Sequence, residues 1–209
     1  MNLFYRLKKI GELFFYFILK YNLKNCKTVL DVGCGYNSAL RYINLPIKKE
    51  GIDIFNKNIE ISKKHKIHQK YRVGDIRKLN KYYKSKSFDA VVCIDVIEHL
   101  TKKEGFVLIE MMEQIAKKKV MILTPVGFYS QDDINDNPYQ IHKSGWLTED
   151  FKQLGYKVYG LRGLRLLRDD FASIRFKPWI LWGFLSFVSE LLLYKLPDVS
   201  FDMLAVKQK

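Results

Sequence analysis

The chain has 209 residues, 48% of them hydrophobic and 14% aromatic, so it can bury a core and is too apolar to be a disordered segment. Its formal net charge of +14 admits a nucleic acid or an anionic membrane as partner, yet lysine so outnumbers arginine that solvated lysines account for much of it. No secretory signal is evident, since the apolar run Leu13 to Leu19 is too short to span a bilayer and no small-residue cleavage site follows it; the expected location is the cytoplasm.

In chain order, residues 1–25 are expected to form an amphipathic helix, followed by a core over 26–165 within a single 1–209 domain. The strands are predicted at 27–33, 50–55, 70–76, 88–95 and 119–125, most of them nearly continuous apolar runs of the kind that parallel strands buried on both faces require. Helical patterns lie between them. The clearest starts at Thr101, which can cap the helix while Glu104 returns a hydrogen bond, and Phe106, Leu108, Ile109, Met112 and Ile115 make its apolar face. A long loop, 126–146, is too rich in Tyr, Phe and Trp for a disordered segment. A short helix from Thr148 to Gly155, a sixth strand over 156–163, an apolar helical insertion over 176–196 and a last strand over 200–209 complete the chain. The fold class expected is α/β: a Rossmann-like, seven-stranded, mostly parallel sheet flanked by helices, with a helical insertion before the last strand. The three cysteines, Cys26, Cys34 and Cys93, lack metal-site spacing and read as reduced thiols.

Asp31, Asp53, Asp75 and Asp95 each fall at or near the carboxyl end of a predicted strand, at intervals of 22, 22 and 20 residues. Ligands of open α/β sheets bind at that edge, near the topological switch point. One aspartate there is ordinarily a turn or a cap; four together point to a ligand.

Gly33 and Gly35 stand where the first strand turns towards a helix-like pattern, and glycine there lets a ligand touch the main chain. Asp53, ending the next strand, can accept both hydroxyls of a ribose. Asn37 and Ser38 stand where a dinucleotide fingerprint would bring its third glycine, and Asp31 would repel a pyrophosphate but suit a cationic amino group. The pocket therefore favours a positively charged nucleoside over NAD.

At these residues the chain resembles the class I S-adenosylmethionine-dependent methyltransferases (type 11-like): "VLDVGCG", "GIDI", "VGDI" and "FDAVVCIDVIEHL" look like the first to fourth motifs of that family, in order. The resemblance covers roughly residues 25–165 and returns at the terminal strand. It implies S-adenosylmethionine as cofactor, with Asp31, Gly33 and Gly35 against its methionine portion. It implies Asp53 on the ribose with Ile54 beside the adenine, Asp75 on the adenine amino group with Ile76 packing nearby, and Asp95 at the same cofactor edge.

Methyl transfer is an in-line displacement for which a protein supplies alignment and, for a hydroxyl acceptor, a base. His99 and His142 are the candidate bases, with intrinsic pKa near 6.5. No metal ligand set is assigned, although Asp95, Glu98 and His99, at helical spacing, offer a divalent cation as an alternative. The expected acceptor is a small molecule, a glycan or a lipid-linked compound, methylated at oxygen. An RNA methyltransferase, a nucleoside-binding interaction protein without turnover and an NAD-dependent oxidoreductase remain rivals.

The insertion carries a narrow polar stripe, Gly183, Ser186, Ser189 and Glu190, amid apolar residues including Trp179, Trp182, Phe184 and Phe187. Its apolar arc exceeds what one-sided packing needs, so a homodimer partner, a membrane interface or a lipid-like acceptor would each cover it. Lys8, Lys9, Arg162, Arg165, Arg168, Arg175 and Lys177 flank the two apolar segments and read as contacts for anionic headgroups, the basis for expecting peripheral membrane association.

Overall fold

The computed structural model describes residues 3–132, 137–169 and 173–209, with side chains of the first helix described from Glu12 onward. Seven strands form one sheet in the order β3-β2-β1-β4-β5-β7-β6. They are β1 (Thr28–Val32), β2 (Lys48–Asp53), β3 (Lys70–Val73), β4 (Phe88–Ile94), β5 (Ala116–Pro125), β6 (Lys157–Leu164) and β7 (Ser200–Gln208). The pairings from β3 through β5 are parallel, and β7 runs antiparallel between β5 and β6. Chain order reverses beside β1, whose neighbours are β2 and β4, which opens a crevice at the carboxyl ends of those strands.

The period-two alternation of the strands sorts the core into two layers. Leu30, Val32, Val91 and Cys93 point to one face, where α3 (Lys102–Ile115) and α4 (Thr148–Lys152) pack with Leu108, Met112, Trp146 and Phe151. Val29, Ala90, Val92 and Met121 point to the other, covered by Phe15, Ile18, Leu19 and Leu23 of α1 (Leu3–Leu23). The helix α3 begins with a reciprocal capping box between Thr101 and Glu104, and α4 is followed by Gly155 at φ +81°. All three cysteines are buried and unpaired.

Two elements differ from expectation. The helix-like pattern after the glycine loop closes only one 3-10 turn, Ala39–Tyr42, capped by Ser38. Pro46 lies four residues beyond and disfavours helical backbone at Leu45, so the chain leaves the helix at Ile43. Leu40, Ile43 and Ile47 instead pack with α1, which fills the layer a longer helix would occupy. The second difference is in β5, which starts at Ala116, directly after α3, without an intervening loop.

The long loop 126–146 is pinned at both ends. Gly127 N–H donates to Trp146 O at 2.7 Å, and the fully buried Trp146 ring packs on Phe106 and Phe151 while its indole N–H donates to Ser144 Oγ at 3.0 Å. Trp146→Ala is expected to lower the unfolding free energy by about 3–5 kcal/mol, as truncations of buried aromatics do. Urea titration of the two proteins checks it.

Candidate active site

The crevice beside β1 opens into a cavity of ≈ 740 Å³, within the range of small-molecule sites. Its floor begins where β1 ends. Gly33 adopts φ +70°, and a Cβ there would come 2.6 Å from Val96 Cγ2, so only glycine fits both backbone and neighbour. The main-chain N–H groups of Gly33 and Cys34 donate to Ile52 O at 2.8 and 3.0 Å, and that of Gly35 to Asp53 Oδ2 at 2.8 Å. The loop is thus stitched to the end of β2.

Asp53 is buried, and its Oδ1 accepts the Phe55 N–H at 2.8 Å. Burial raises its pKa, partly offset by those backbone donors. Asn58 also hydrogen-bonds this carboxylate, which keeps acceptor capacity for a further donor. Asp31 is equally buried, and its Oδ2 accepts from Ser38 Oγ at 2.5 Å and from His68 Nε2 at 2.8 Å. His68 enters from the turn before β3, and its ring stands edge-on to Tyr71, whose hydroxyl accepts the His68 main-chain N–H at 3.0 Å. Among the described residues, no lysine or arginine is ion-paired with Asp31 or Asp53.

Asp95 follows β4 at φ +52°, and its Oδ2 meets Arg162 Nη2 at 3.1 Å. Arg162, in β6 at φ +59°, also holds Asp202 of β7, Nη1 to Oδ2, at 2.6 Å. Burial opposes the charge of Arg162, but the carboxylates of Asp202 and Asp95 outweigh it and keep the guanidinium charged. Burial, with Asp95 adding, outweighs Arg162 at Asp202 and pushes that carboxyl up to about 7.

Of the ten residues singled out in the sequence, Asp31, Gly33, Gly35, Asp53, Ile54, Ile76, Asp95 and His99 line this one cavity. Asp75 and His142 do not line it. The Asp75 carboxylate is gripped by Arg77, Nε and Nη2 each at 2.9 Å, and caps the following turn by accepting the Arg77 N–H; these bonds hold its pKa below the usual carboxylate range. The His142 ring lies 4.8 Å from that of His99, and its Nδ1 is 2.7 Å from Tyr129 O. Burial, with His142 adding, lowers the His99 pKa to about 4.

Behind this pair, Glu98 is buried and accepts from Thr124 Oγ1 at 3.0 Å, while its carbonyl accepts the N–H groups of Lys143 and Ser144. Burial, then Asp95, pushes its carboxyl up to about 8. Donor atoms of Glu98, His99 and His142 lie within 4.8 Å of one another, the spacing of a divalent-cation site. Asp95, the third member suggested by helical spacing, is turned instead to Arg162.

Sequence reasoning missed Arg162 as a cavity group and His68 as the partner of Asp31, because each is brought to its acid from a distant element and neither sits in a motif. It also missed Glu12, Phe15 and Tyr16 of α1 and Asn137, Tyr139 and Gln140 of the long loop, which line the same cavity. Asn137 is buried and caps the 3-10 turn Pro138–Gln140 by accepting the Tyr139 N–H at 3.1 Å.

A family model described as a methyltransferase domain matches residues 30–123, the span from β1 through most of β5. No curated protein matches the sequence. Among solved structures, the chain is similar to an S-adenosylmethionine-dependent methyltransferase from Archaeoglobus fulgidus, with 22% identity, TM-score 0.59 and full coverage of both chains. It is also similar to the methyltransferase domain of bacterial CtHen1-CN, with 19% identity and TM-score 0.58 over 93% of this chain and 97% of that one. A third likeness is to magnesium protoporphyrin IX methyltransferase from Synechocystis with bound cofactor, with 14% identity and TM-score 0.56 over 98% and 79%. At these identities the likeness to solved structures is one of fold.

The buried carboxyl of Glu98 supplies a pH test. Its folded pKa of about 8 exceeds the ordinary 4.5, so the folded chain binds the extra proton; its contribution is complete at low pH and is lost as pH rises through 8. Between pH 7 and 8 the wild type should lose about 1 kcal/mol of stability that Glu98→Gln does not lose. Urea midpoints measured at both pH values read the difference.

Proposed function

We propose that the chain is a class I S-adenosylmethionine-dependent methyltransferase, as the methyltransferase-domain match over residues 30–123 supports, and that it methylates an oxygen of a small-molecule, glycan or lipid-linked acceptor. The bound cofactor supplies a methyl group activated on a sulfonium. Asp31 takes the amino group at its methionine end and is held in place by His68 and Ser38. Asp53, held by Gly35, Phe55 and Asn58, accepts from the ribose hydroxyls. Ile54 and Ile76 flank the adenine, and Asp75, clamped by Arg77, lies beyond Ile76 as a positioning group for that end. Asp95 closes the floor through Arg162.

What supports the oxygen assignment is the place of a histidine, His99, in the cavity lining. His99 stays unprotonated down to about pH 4, so at neutral pH it can take a proton from an acceptor hydroxyl. The His142 ring packs beside it, and His99 Nδ1 lies 3.4 Å from Ile141 O. Tyr16, Asn137, Tyr139 and Gln140 border the acceptor side. The cavity carries the carboxylates of Glu12, Asp31, Asp53 and Asp95 against Lys57 and Arg162. That balance disfavours a polyphosphate chain and so weighs against the RNA reading, which the overall charge alone would favour. A second reading is favoured by the Glu98, His99 and His142 cluster: a divalent cation there would lower the pKa of the acceptor hydroxyl in place of a base.

Incubation of cell extract with radiolabelled cofactor should place the label in the lipid or small-molecule fraction. Label in RNA would overturn the acceptor class, and cofactor binding with label in no fraction would favour an interaction protein. Asp53→Asn should weaken binding of S-adenosylhomocysteine about 10- to 100-fold by calorimetry. With the labelled acceptor, His99→Ala should lower kcat about 10²- to 10⁴-fold while leaving that affinity unchanged. The wild-type acid limb should lie near pH 4. Full turnover in excess chelator would dismiss the cation.

A further inference from the structure

The insertion helix α5 (Trp179–Leu193) is turned inside out. Its buried residues are the polar Ser186 and Glu190, at 1% and 2% exposure, whereas Ile180, Phe184, Leu191 and Leu192 are 60–74% exposed. Hydrogen bonds fix this orientation. Glu190 Oε1 accepts the Arg162 N–H at 2.9 Å, Ser189 Oγ accepts the Leu164 N–H at 3.1 Å, and Ser186 Oγ accepts from Arg168 Nη2 at 3.3 Å. The polar stripe thus docks on the irregular end of β6, and the apolar arc has no other way to face.

That arc is wide and free of charge. Ile180, Leu181, Phe184, Leu185, Phe187, Val188, Leu191 and Leu192 are all exposed, and they fall within roughly 160° of the helical wheel. The one ionisable residue of the helix is the buried Glu190. Leu166 and Phe176, earlier in the chain, and Leu196 and Val199, after the helix, are exposed as well. Monomeric proteins exposed to water do not leave such a surface bare.

Length and charge decide what covers it. At 1.5 Å per residue α5 is about 22 Å long, short of the roughly 30 Å bilayer core. No helix among the described residues is long and apolar enough to cross a membrane. Exposed Arg165, Arg175 and Lys177 cluster near its N-terminal end and Lys195 follows its C-terminal end, and Lys177 Nζ lies 5.1 Å from the Trp179 ring. Arg162 and Arg168, expected in this fringe, are turned inward to Asp95, Asp202 and Ser186, and the side chains of Lys8 and Lys9 lie outside the described residues. A second copy of this chain would bring one basic fringe against another at a formal +14 each; an anionic surface complements it.

We propose that α5 lies flat in the interface of an anionic lipid bilayer, its apolar arc among the acyl chains and Arg165, Arg175, Lys177 and Lys195 on the headgroup phosphates. Arg162 joins this surface to the cavity, since its main chain holds Glu190 of α5 and its side chain holds Asp95. The proposal stands whatever the methyl acceptor is.

The test is flotation of the full chain with vesicles of phosphatidylcholine alone or mixed with phosphatidylglycerol. The wild type should float with the mixed vesicles at low salt and lose most of that binding with phosphatidylcholine alone or at high salt. Arg175→Gln with Lys177→Gln should weaken the partition about fivefold for each charge removed. Phe184→Glu with Leu191→Glu, at exposed positions, should abolish flotation while the protein still binds S-adenosylhomocysteine, which shows that it is folded. Wild-type protein that stays at the bottom of the gradient with anionic vesicles overturns the proposal. So does a stable dimer in light scattering that the glutamate pair dissociates, with no flotation of the wild type.

Discussion

The arrangement on which the site depends is a concentration of negative charge in a basic protein. Parallel strands that end side by side bring Asp31, Asp53 and Asp95 to one cavity wall, in a chain whose formal charge is +14. One half-buried guanidinium, Arg162, is taken up by Asp95 and Asp202. Asp31 and Asp53 are left with hydrogen-bond donors: Ser38 and His68 on one, main-chain N–H groups and Asn58 on the other. Buried carboxylates held this way favour a ligand that brings its own cation and hydroxyls. A dinucleotide pyrophosphate would add negative charge where the site already has an excess.

Much of this was legible in the chain. Strand positions were readable because each buried parallel strand is a short apolar run, and the start of α3 because Thr101 and Glu104 form a local, reciprocal cap. The aspartate edge was readable because strand ends recur at regular intervals. What escaped depends on the packing of distant segments. The one-turn helix after the glycine loop reflects Pro46 and the presence of α1 over it. Asp75 carries the right residue type at a strand end, yet Arg77, two residues on, draws its carboxylate out of the cavity lining. His68 and Arg162 reach their acids across 37 and 67 residues of sequence, with no local pattern to announce them.

The insertion shows the same division. The stripe of Ser186, Ser189 and Glu190 is plain in the sequence, but a stripe alone does not say which way it faces. In most surface helices polar residues look outward. Here the unsatisfied main chain at the irregular end of β6 claims them, and the apolar residues take the outside. A device that repairs a strand defect thereby creates an exposed greasy face one residue away from the cavity wall.

The charge account is tested most directly by titrating S-adenosylmethionine into the wild type and into Asp31→Asn and measuring the heat. One-to-one binding that weakens sharply when Asp31 loses its charge is the predicted result. Unchanged affinity in the variant, or no heat with S-adenosylmethionine while NADH binds, would contradict it.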